Sequence, residues 1–490
     1  MKMVLTPKQM QCIERDAMQR TGIESLLLME RAALELLRLA QGLGIRDAYV
    51  VCGPGNNGGD GLALARLLHL EGVRTQVRLL PPPDRLQGDA LKNADVLRAL
   101  GLALDAPWPA SPPGLVVDAL FGTGLSRPLT GEYLQAVQRI NAYRRAGSQV
   151  LAVDIPSGVD GATGRVLGEE AVHASHCVSF QWPKRGHLFY PGRELCGQLH
   201  VVSIGLPAPK EAPQLAVLDE EDVRFLLPKR PPDAHKNRFG HGLLIAGSRG
   251  MAGAALMSAQ AALSGGIGLL SCACPRHSVA PYLQAQVPAA MAYPLPETPR
   301  AGERLVPFLS GKTAAAIGPG LGRSETALSL LCAVWASSLP LVADADALNL
   351  LAQYAGEFPL RRAPLVLTPH PGEAARLMGR PVDDPVADAR ALAQTWQAVC
   401  LLKGATTVIA APEGTALLNL SGCSALATGG SGDVLTGLLL SLLCQGMAPL
   451  EAAAVAAYLH GRAGERLAQE FGDRSLNAWQ LAHANFFSGF

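Results

Sequence analysis

Residues Val50 to Leu68 read VVCGPGNNGGDGLALARLL: an apolar run, a glycine-rich turn and an amphipathic stretch in immediate succession. A strand that turns through glycines straight into a helix is the unit from which parallel α/β sheets are wound. It leaves unpaired backbone N–H groups where the helix begins, and with the positive end of the helix dipole these make a cradle for an anion. The turn is neither the usual dinucleotide fingerprint nor a phosphate loop ending in Lys-Ser/Thr. It carries Asn56 and Asn57 instead, whose side chains offer oxygens as well as donors. A plain tight turn is the bland alternative.

On the N-terminal side, Thr6-Pro7-Lys8-Gln9 predicts a helix start, with Thr6 as cap, Pro7 at the first helical position and Gln9 closing a capping box; helix is expected through about Leu39. On the C-terminal side, short apolar runs alternate with amphipathic stretches. They are Ala48 to Cys52, a helix from about Asp60, Val77 to Leu80, a helix near Ala90 to Leu100, Leu115 to Leu120 and Val150 to Asp154, with Cys177 to Gln181 and Leu199 to Ile204 beyond. This alternation predicts a doubly wound parallel sheet.

Between Leu206 and Pro232 the pattern lapses into Pro-rich and charged sequence, read as a linker around a short helix. Beyond it the alternation restarts with Leu243 to Ala246, Gly268 to Cys274, Ala314 to Ile317, Leu339 to Ala343, Leu365 to Thr368, Val399 to Leu402 and Thr407 to Ala411. Two unlike α/β domains are expected, residues 1–215 and 225–490, as a chain of 490 residues is too long for one ordinary core.

Lys and Arg number 42 against 41 Asp and Glu, a formal net charge of +1, so nothing in the balance draws the chain to nucleic acid or an anionic membrane. Ten cysteines without a CxxC pair read as reduced, mostly buried thiols; Cys272 and Cys274 share one face of a strand. The first fifteen residues lack the apolar stretch of a secretion signal, and cytoplasm is the expected compartment. Gly250 to Pro275 is uncharged, but its glycines, serines and Gln260 read as a buried helix followed by a buried strand, with no membrane span.

Chemistry-bearing residues stand at strand ends, where such sheets bind ligands. Asp118 precedes FGTGLSRP, and Asp154 precedes IPSG. Asn57, Asp118 and Ser157 would meet there as hard oxygen donors suited to an alkali or alkaline-earth cation. Asp118 alone also reads as a cap or a salt-bridge partner. In the second half, GPGLG (Gly318 to Gly322) and TPHPGE (Thr368 to Glu373) are strand-end loops facing one cleft, and LLKGATTVI adds Lys403 to Thr407, where a lysine, a glycine and two hydroxyls suit a nucleotide phosphate. His370 lies between two prolines and reads as a ligand contact before a cap. Ala427 to Gly437, ATGGSGDVLTG, sets three glycines before Asp433 at a helix start, equipment for chemistry at a phosphoryl group with Asp433 as base.

GPGNNGGDG, DALFGTGLSRP and VDIPSGVDG together resemble the NAD(P)H-hydrate epimerase family, from about Met1 to Leu206. The resemblance implies a Rossmann-like fold in which Asn56, Asn57, Gly58, Gly59 and Asp60 bind the hydrated nicotinamide nucleotide with Gly122, Thr123, Gly124, Leu125, Ser126, Arg127 and Pro128. It implies that Asp154 contacts the ring and is the leading acid/base candidate, and that Asn57, Asp118 and Ser157 hold potassium. Lys184, in FQWPKRGH, is a second acid/base candidate, weighed against a surface lysine whose stem lies along apolar surface.

The order of the second-half motifs resembles the ribokinase-like superfamily. HKNRFGHGLLIAGSRGMAGAALMSAQAAL, IGPGLG, ADADALN, LTPHPGEAARL and the Gly-Asp loop resemble, more narrowly, ADP-dependent NAD(P)H-hydrate dehydratase, across about Leu226 to Gln469. On that resemblance Ala254, Gly320, His370 and Asp433 contact the hydrate, and Lys403, Gly404, Ala405, Thr406, Thr407 and Gly432 contact the nucleotide. ADP is the expected co-substrate, with magnesium, and a homo-oligomer is expected. Ser431 and Cys423 depart from the family pattern; the thiol is the poorer hydrogen-bond partner.

These features predict a two-step repair of NAD(P)H hydrate: epimerisation in the first domain, ADP-driven dehydration in the second. The rival is a small-molecule kinase with a non-catalytic N-terminal nucleotide-binding module. Asp154 beside the full Asn57, Asp118 and Ser157 set argues against it.

Overall fold

The strand–turn–helix that opens the sequence reading is present: β1 (Asp47–Cys52) runs through Gly53, Pro54 and Gly55 into the helix Asn56–Leu70, which starts four residues earlier than its amphipathic pattern indicates. The computed structural model describes residues 1–80, 85–210 and 214–490. The chain divides into two compact units, residues 2–213 and Gln214 to Phe490 with Met1.

In the first unit β1 is followed by β2 (Arg74–Leu79), β3 (Leu115–Ala119), β4 (Gln149–Val153), β5 (His176–Phe180) and β6 (Gln198–Val202). The order is β2-β1-β3-β4-β5-β6, all parallel. β1, β3 and β4 are predominantly apolar because helices cover both faces; Val50, Val117, Val150 and Leu151 have no exposed surface. The strand order reverses between β1 and β3, which opens a crevice at their carboxyl ends.

Glycine is obligatory along this seam. A Cβ on Gly53 would lie 1.8 Å from the Leu120 carbonyl oxygen, and one on Gly58 1.9 Å from that of Gly53. Gly61 brings the helix against Ala119 of β3 in the same way. Upstream, Pro7–Thr21 is capped by Thr6 and Gln9 as expected. The expected continuous helix is broken by Gly22 in the left-handed region, and a second helix runs Ser25–Gly42.

The second unit comprises β7 (Leu215–Val217), β8 (His241–Ile245), β9 (Leu269–Pro275), β10 (Met291–Leu295), β11 (Ala314–Ile317), β12 (Leu341–Ala343), β13 (Leu365–Leu367), β14 (Val399–Leu402), β15 (Thr407–Ala410) and β16 (Ala416–Asn419). They lie in the order β7-β16-β15-β14-β13-β12-β11-β8-β9-β10, antiparallel only across β14-β15 and β15-β16 among these neighbours. Three strands escape the apolar-run reading. β7 is three residues within the supposed linker, part of which, Glu211 to Pro213, lies outside the described residues. β10 contains Pro294, tolerated because β10 is an edge. β16 follows a tight turn after β15.

The uncharged segment is the helix Ala252–Ser264 leading to β9, as its composition indicates; among the described residues no helix is long and apolar enough to cross a membrane. It packs on the helix Ser431–Cys444 so closely that a Cβ on Gly437 would stand 2.0 Å from the Ser258 carbonyl oxygen.

Candidate active sites

In the first unit the β1, β3 and β4 ends converge. Asp118, fully buried, accepts hydrogen bonds from Ser157 N–H (2.8 Å) and Ser157 Oγ (2.6 Å). Burial pushes its carboxyl up to about 6, and the bonds from Ser157 and Leu120 oppose that shift. Asn57 donates through Nδ2 to the Val153 carbonyl at 2.6 Å, while its buried Oδ1 has no hydrogen-bond partner. Ser157 Oγ also approaches the Phe121 carbonyl, 3.2 Å away. Asp118 and Ser157 therefore meet, and Asn57 reaches the end of β4 at Val153.

Beside them lies a cleft of about 550 Å³ lined by Asn56, Asn57, Asp60, Asp154 and Lys184, and by the loop Gly122 to Arg127. Gly58, Gly59 and Pro128 are not among its lining residues; a Cβ on Gly58 would meet Gly53, one on Gly59 would meet Met29, and Pro128 packs on Gly168.

Asp154 holds a left-handed backbone (φ 65°), a strained state for a non-glycine residue. It is locked there: its N–H donates to Val178, and His187 Nε2 donates to its carbonyl at 2.7 Å. His187 Nδ1 accepts from Lys184 N–H, so both ring nitrogens are engaged, and Cys177 Sγ lies 3.5 Å from the Asp154 carbonyl oxygen as a further support. Lys184 is no surface lysine. Only 1% exposed, it places Nζ 2.6 Å from Asp154 Oδ1. Glu14, from the N-terminal helix, also lines the cleft, and nothing in its spacing marked it.

In the second unit Gly430, left-handed at φ 95°, caps the helix Ser431–Cys444 and puts Asp433 in its first turn, where the amides lack intrahelical acceptors. Burial, then the neighbouring Asp344, push Asp433 up to about 7; Lys403 pulls the other way, and Asp346 and Glu373 add to the rise. Lys403 closes on the same spot, with Nζ 2.8 Å from Asp344 Oδ1 and 3.9 Å from Glu373 Oε2. Burial alone would lower the lysine; Asp344 and Glu373 more than offset this and raise it. Asp344, from the quoted ADADALN run, was not singled out from sequence; its other oxygen accepts from Thr436 at 2.7 Å.

Gly320 and Ala254 are neighbours. A Cβ on Gly320 would fall 2.8 Å from Ala254 Cβ. His370 caps the helix Pro371–Met378, with Nδ1 accepting from Gly372 N–H, and its Nε2 stays half-exposed 3.4 Å from Glu373; the capping role weighed second is thus present. Residues 403–406 form the hairpin from β14 to β15, closed by Thr407 Oγ1 on the Gly404 carbonyl. Thr406 is buried there. His460, also unremarked in the sequence, is buried under the Gly-Asp loop with Nε2 3.0 Å from the Ser431 carbonyl.

Comparison with known proteins matches both halves of the chain. Residues 25–186 match the model of the YjeF-related protein N-terminus, and residues 242–485 that of NAD(P)H-hydrate dehydratase. The bifunctional NAD(P)H-hydrate repair enzyme Nnr of Thermofilum pendens is 41% identical, across 96% of this chain and 93% of its own. The chain belongs to that family of bifunctional repair enzymes. Its Escherichia coli member is 36% identical over 96% of this chain and 90% of its own. Among solved structures, the ADP/ATP-dependent NAD(P)H-hydrate dehydratase of Bacillus subtilis, co-crystallised with ATP and Mg2+, is 36% identical with a TM-score of 0.50, covering 55% of this repair-family chain and 95% of its own.

Proposed function

We propose that residues 1–215 interconvert the two epimers of NAD(P)H hydrate and that residues 225–490 dehydrate the S epimer to NAD(P)H at the expense of ADP, giving AMP and phosphate. The observation that carries the second activity is Asp433 itself: a carboxyl pushed up to about 7 at a helix N-terminus, facing Lys403 across Gly432. A base with that affinity takes a proton readily at neutral pH. Asp433 removes the proton of the ring hydroxyl as its oxygen attacks the β-phosphoryl group; the loop amides stabilise the charge that develops. Hydroxide leaves poorly and phosphate well, so phosphorylation is the means by which water is expelled. Ala254 and Gly320 seat the ring, and Gly404 to Thr407 hold the nucleotide.

Potassium fits the first unit. Asn57 Oδ1 is buried without a donor, and Asp118 is buried without a cationic side chain paired to it among the described residues. A monovalent cation held by Asn57, Asp118 and Ser157 would supply the missing charge and fix the three strand ends around the cleft. In the second unit the oxygens of Asp346 and Glu373 suit magnesium carried on a nucleotide, which would neutralise phosphoryl charge.

The test is incubation of the purified protein with mixed hydrate epimers, ADP or ATP, and KCl or choline chloride, following the reduced-nicotinamide absorbance. Recovery of both epimers is expected. A stable phosphoester with no recovery would make the protein a kinase. Recovery of one epimer would leave the first unit without its assigned activity.

A further inference from the structure

Three carboxyl side chains and one ammonium line the N-terminal cleft. Glu14 comes from the helix Pro7–Thr21, Asp60 from the helix Asn56–Leu70 and Asp154 from the end of β4, and Lys184 faces them. An ammonium has three donors, and here all three are taken: Asp154 Oδ1 at 2.6 Å, Ser179 Oγ at 3.2 Å and the Phe180 carbonyl at 3.2 Å. Lys184 thus pairs with Asp154 and offers no hydrogen bond to Glu14 or Asp60. Of the other charged groups lining the cleft, Asp89 is bonded to Ser25 and Lys92, and Arg127 stands on the Gly122 to Arg127 loop.

Recessed carboxyls with like-charged neighbours and no cation of their own hold their protons more tightly and do not all ionise. Asp60 is raised well above the usual carboxylate range by burial, then by Asp154 and Glu14, and Glu14 is raised by burial against the opposing pull of Lys184. The ion-paired Asp154 and the carboxyl pair therefore differ in kind within one cleft.

We propose that Glu14 and Asp60 together carry the proton that serves as general acid in epimerisation, with Asp154, fixed by Lys184, as the base. This rests on the epimerase reading. The hydrate hydroxyl stands on the ring carbon bonded to the ring nitrogen. Asp154 takes the hydroxyl proton, the O–H electron pair forms a C=O bond, and the C–N bond breaks with its pair going to nitrogen. Nitrogen receives the proton held by the Glu14–Asp60 pair. Rotation about the adjoining C–C bond turns the other face of the aldehyde to nitrogen. Closure reverses each step, returning one proton to the carboxyl pair and the other to oxygen. No electrons are gained or lost, and an acid and a base are needed together, which this cleft provides.

The experiment compares the full-length wild type with Glu14→Gln, Asp60→Asn and the double variant. R epimer conversion is coupled to the protein's own ADP-dependent step, and kcat/KM is taken across pH. A general acid gives the wild type a fall in rate toward alkaline pH. Each single variant removes a like charge from the surviving carboxyl, so that limb moves to lower pH. The double variant loses about 10²-fold or more and the limb disappears, while dehydration of S epimer is unchanged and reports a folded chain. An alkaline limb that stays in place in all variants, whatever the rate, overturns the proposal. A wild type that never interconverts the epimers overturns the epimerase reading instead.

Discussion

Lys403 Nζ stands 2.8 Å from Asp344 Oδ1, and Asp344 Oδ2 accepts from Thr436 Oγ1 at 2.7 Å, so one buried carboxylate ties the lysine after β14 to the helix that carries Asp433. Lys403 is thereby held against Gly432, where a Cβ would come within 3.3 Å of its ammonium. Its motif reads as a grip on the nucleotide. Its position also makes it the cation that tempers the basicity of the proposed base.

Dehydration should follow the ionisation of Asp433. A base works in its deprotonated form, so kcat/KM for S epimer rises with pH through about 7 and levels above it. Lys403→Met removes the charge that lowers Asp433, and the limb should move to higher pH. Asp433→Asn should cost about 10²- to 10⁴-fold in kcat with epimerisation retained. A limb unmoved by Lys403→Met would refute the coupling.

Much of this was legible because strand ends announce themselves. Asn57, Asp118 and Ser157 stand at or just past the ends of three apolar runs, and parallel sheets bring such ends together. Glu14 and His460 were not legible, since each sits on a helix whose register toward the site is set only when that helix packs. Lys184 gave no sign of burial because its partners, Ser179 and Asp154, come from two different strand ends. The helix start at Asn56 was read late because a glycine-rich first turn has no apolar face to reveal the period. Gly58 and Gly59 read as ligand contacts, and the structure adds a packing demand, since a Cβ on either would meet Gly53 or Met29.

Two glycines of the second unit should separate packing from binding. Gly437→Ala drives a methyl group into the Ser258 carbonyl, where only movement of the helix Ala252–Ser264 can make room. The expected loss is about 1–3 kcal/mol, read as a lower denaturant midpoint. Gly320→Ala instead strains a φ of 57° and presses on Ala254, so KM for the hydrate should rise with KM for ADP unchanged. Equal effects on both Michaelis constants would place Gly320 away from the hydrate.

Potassium should act on the first unit alone. At a hundredfold excess over its dissociation constant a bound cation adds about 2.7 kcal/mol, so thermal unfolding of the wild type should shift upward in KCl relative to choline chloride of equal ionic strength. Asn57→Ala deletes the orphaned Oδ1 and should abolish that shift. Dehydration of S epimer should not depend on the choice of salt. A shift that persists in Asn57→Ala would move the cation elsewhere.

His460 makes the second unit acid-sensitive. Burial holds its imidazole down at about 4, against the upward pull of the Ser431 backbone, while in the unfolded chain it titrates near 6.5. A depressed folded pKa means that the neutral ring's contribution is fully present above pH 6.5 and is lost as pH falls toward 4. At about 1.4 kcal/mol per pKa unit that is roughly 3 kcal/mol. Asp433 works in the opposite sense, since its raised carboxyl favours the folded state as protons are added. The difference between wild type and His460→Gln isolates the histidine. Wild-type melting temperature should drop more than the variant's between pH 7.5 and pH 5, and the dehydratase loop braced through Ser431 should fail with it. Equal drops in the two proteins would show that His460 is not the group whose protonation opens this unit.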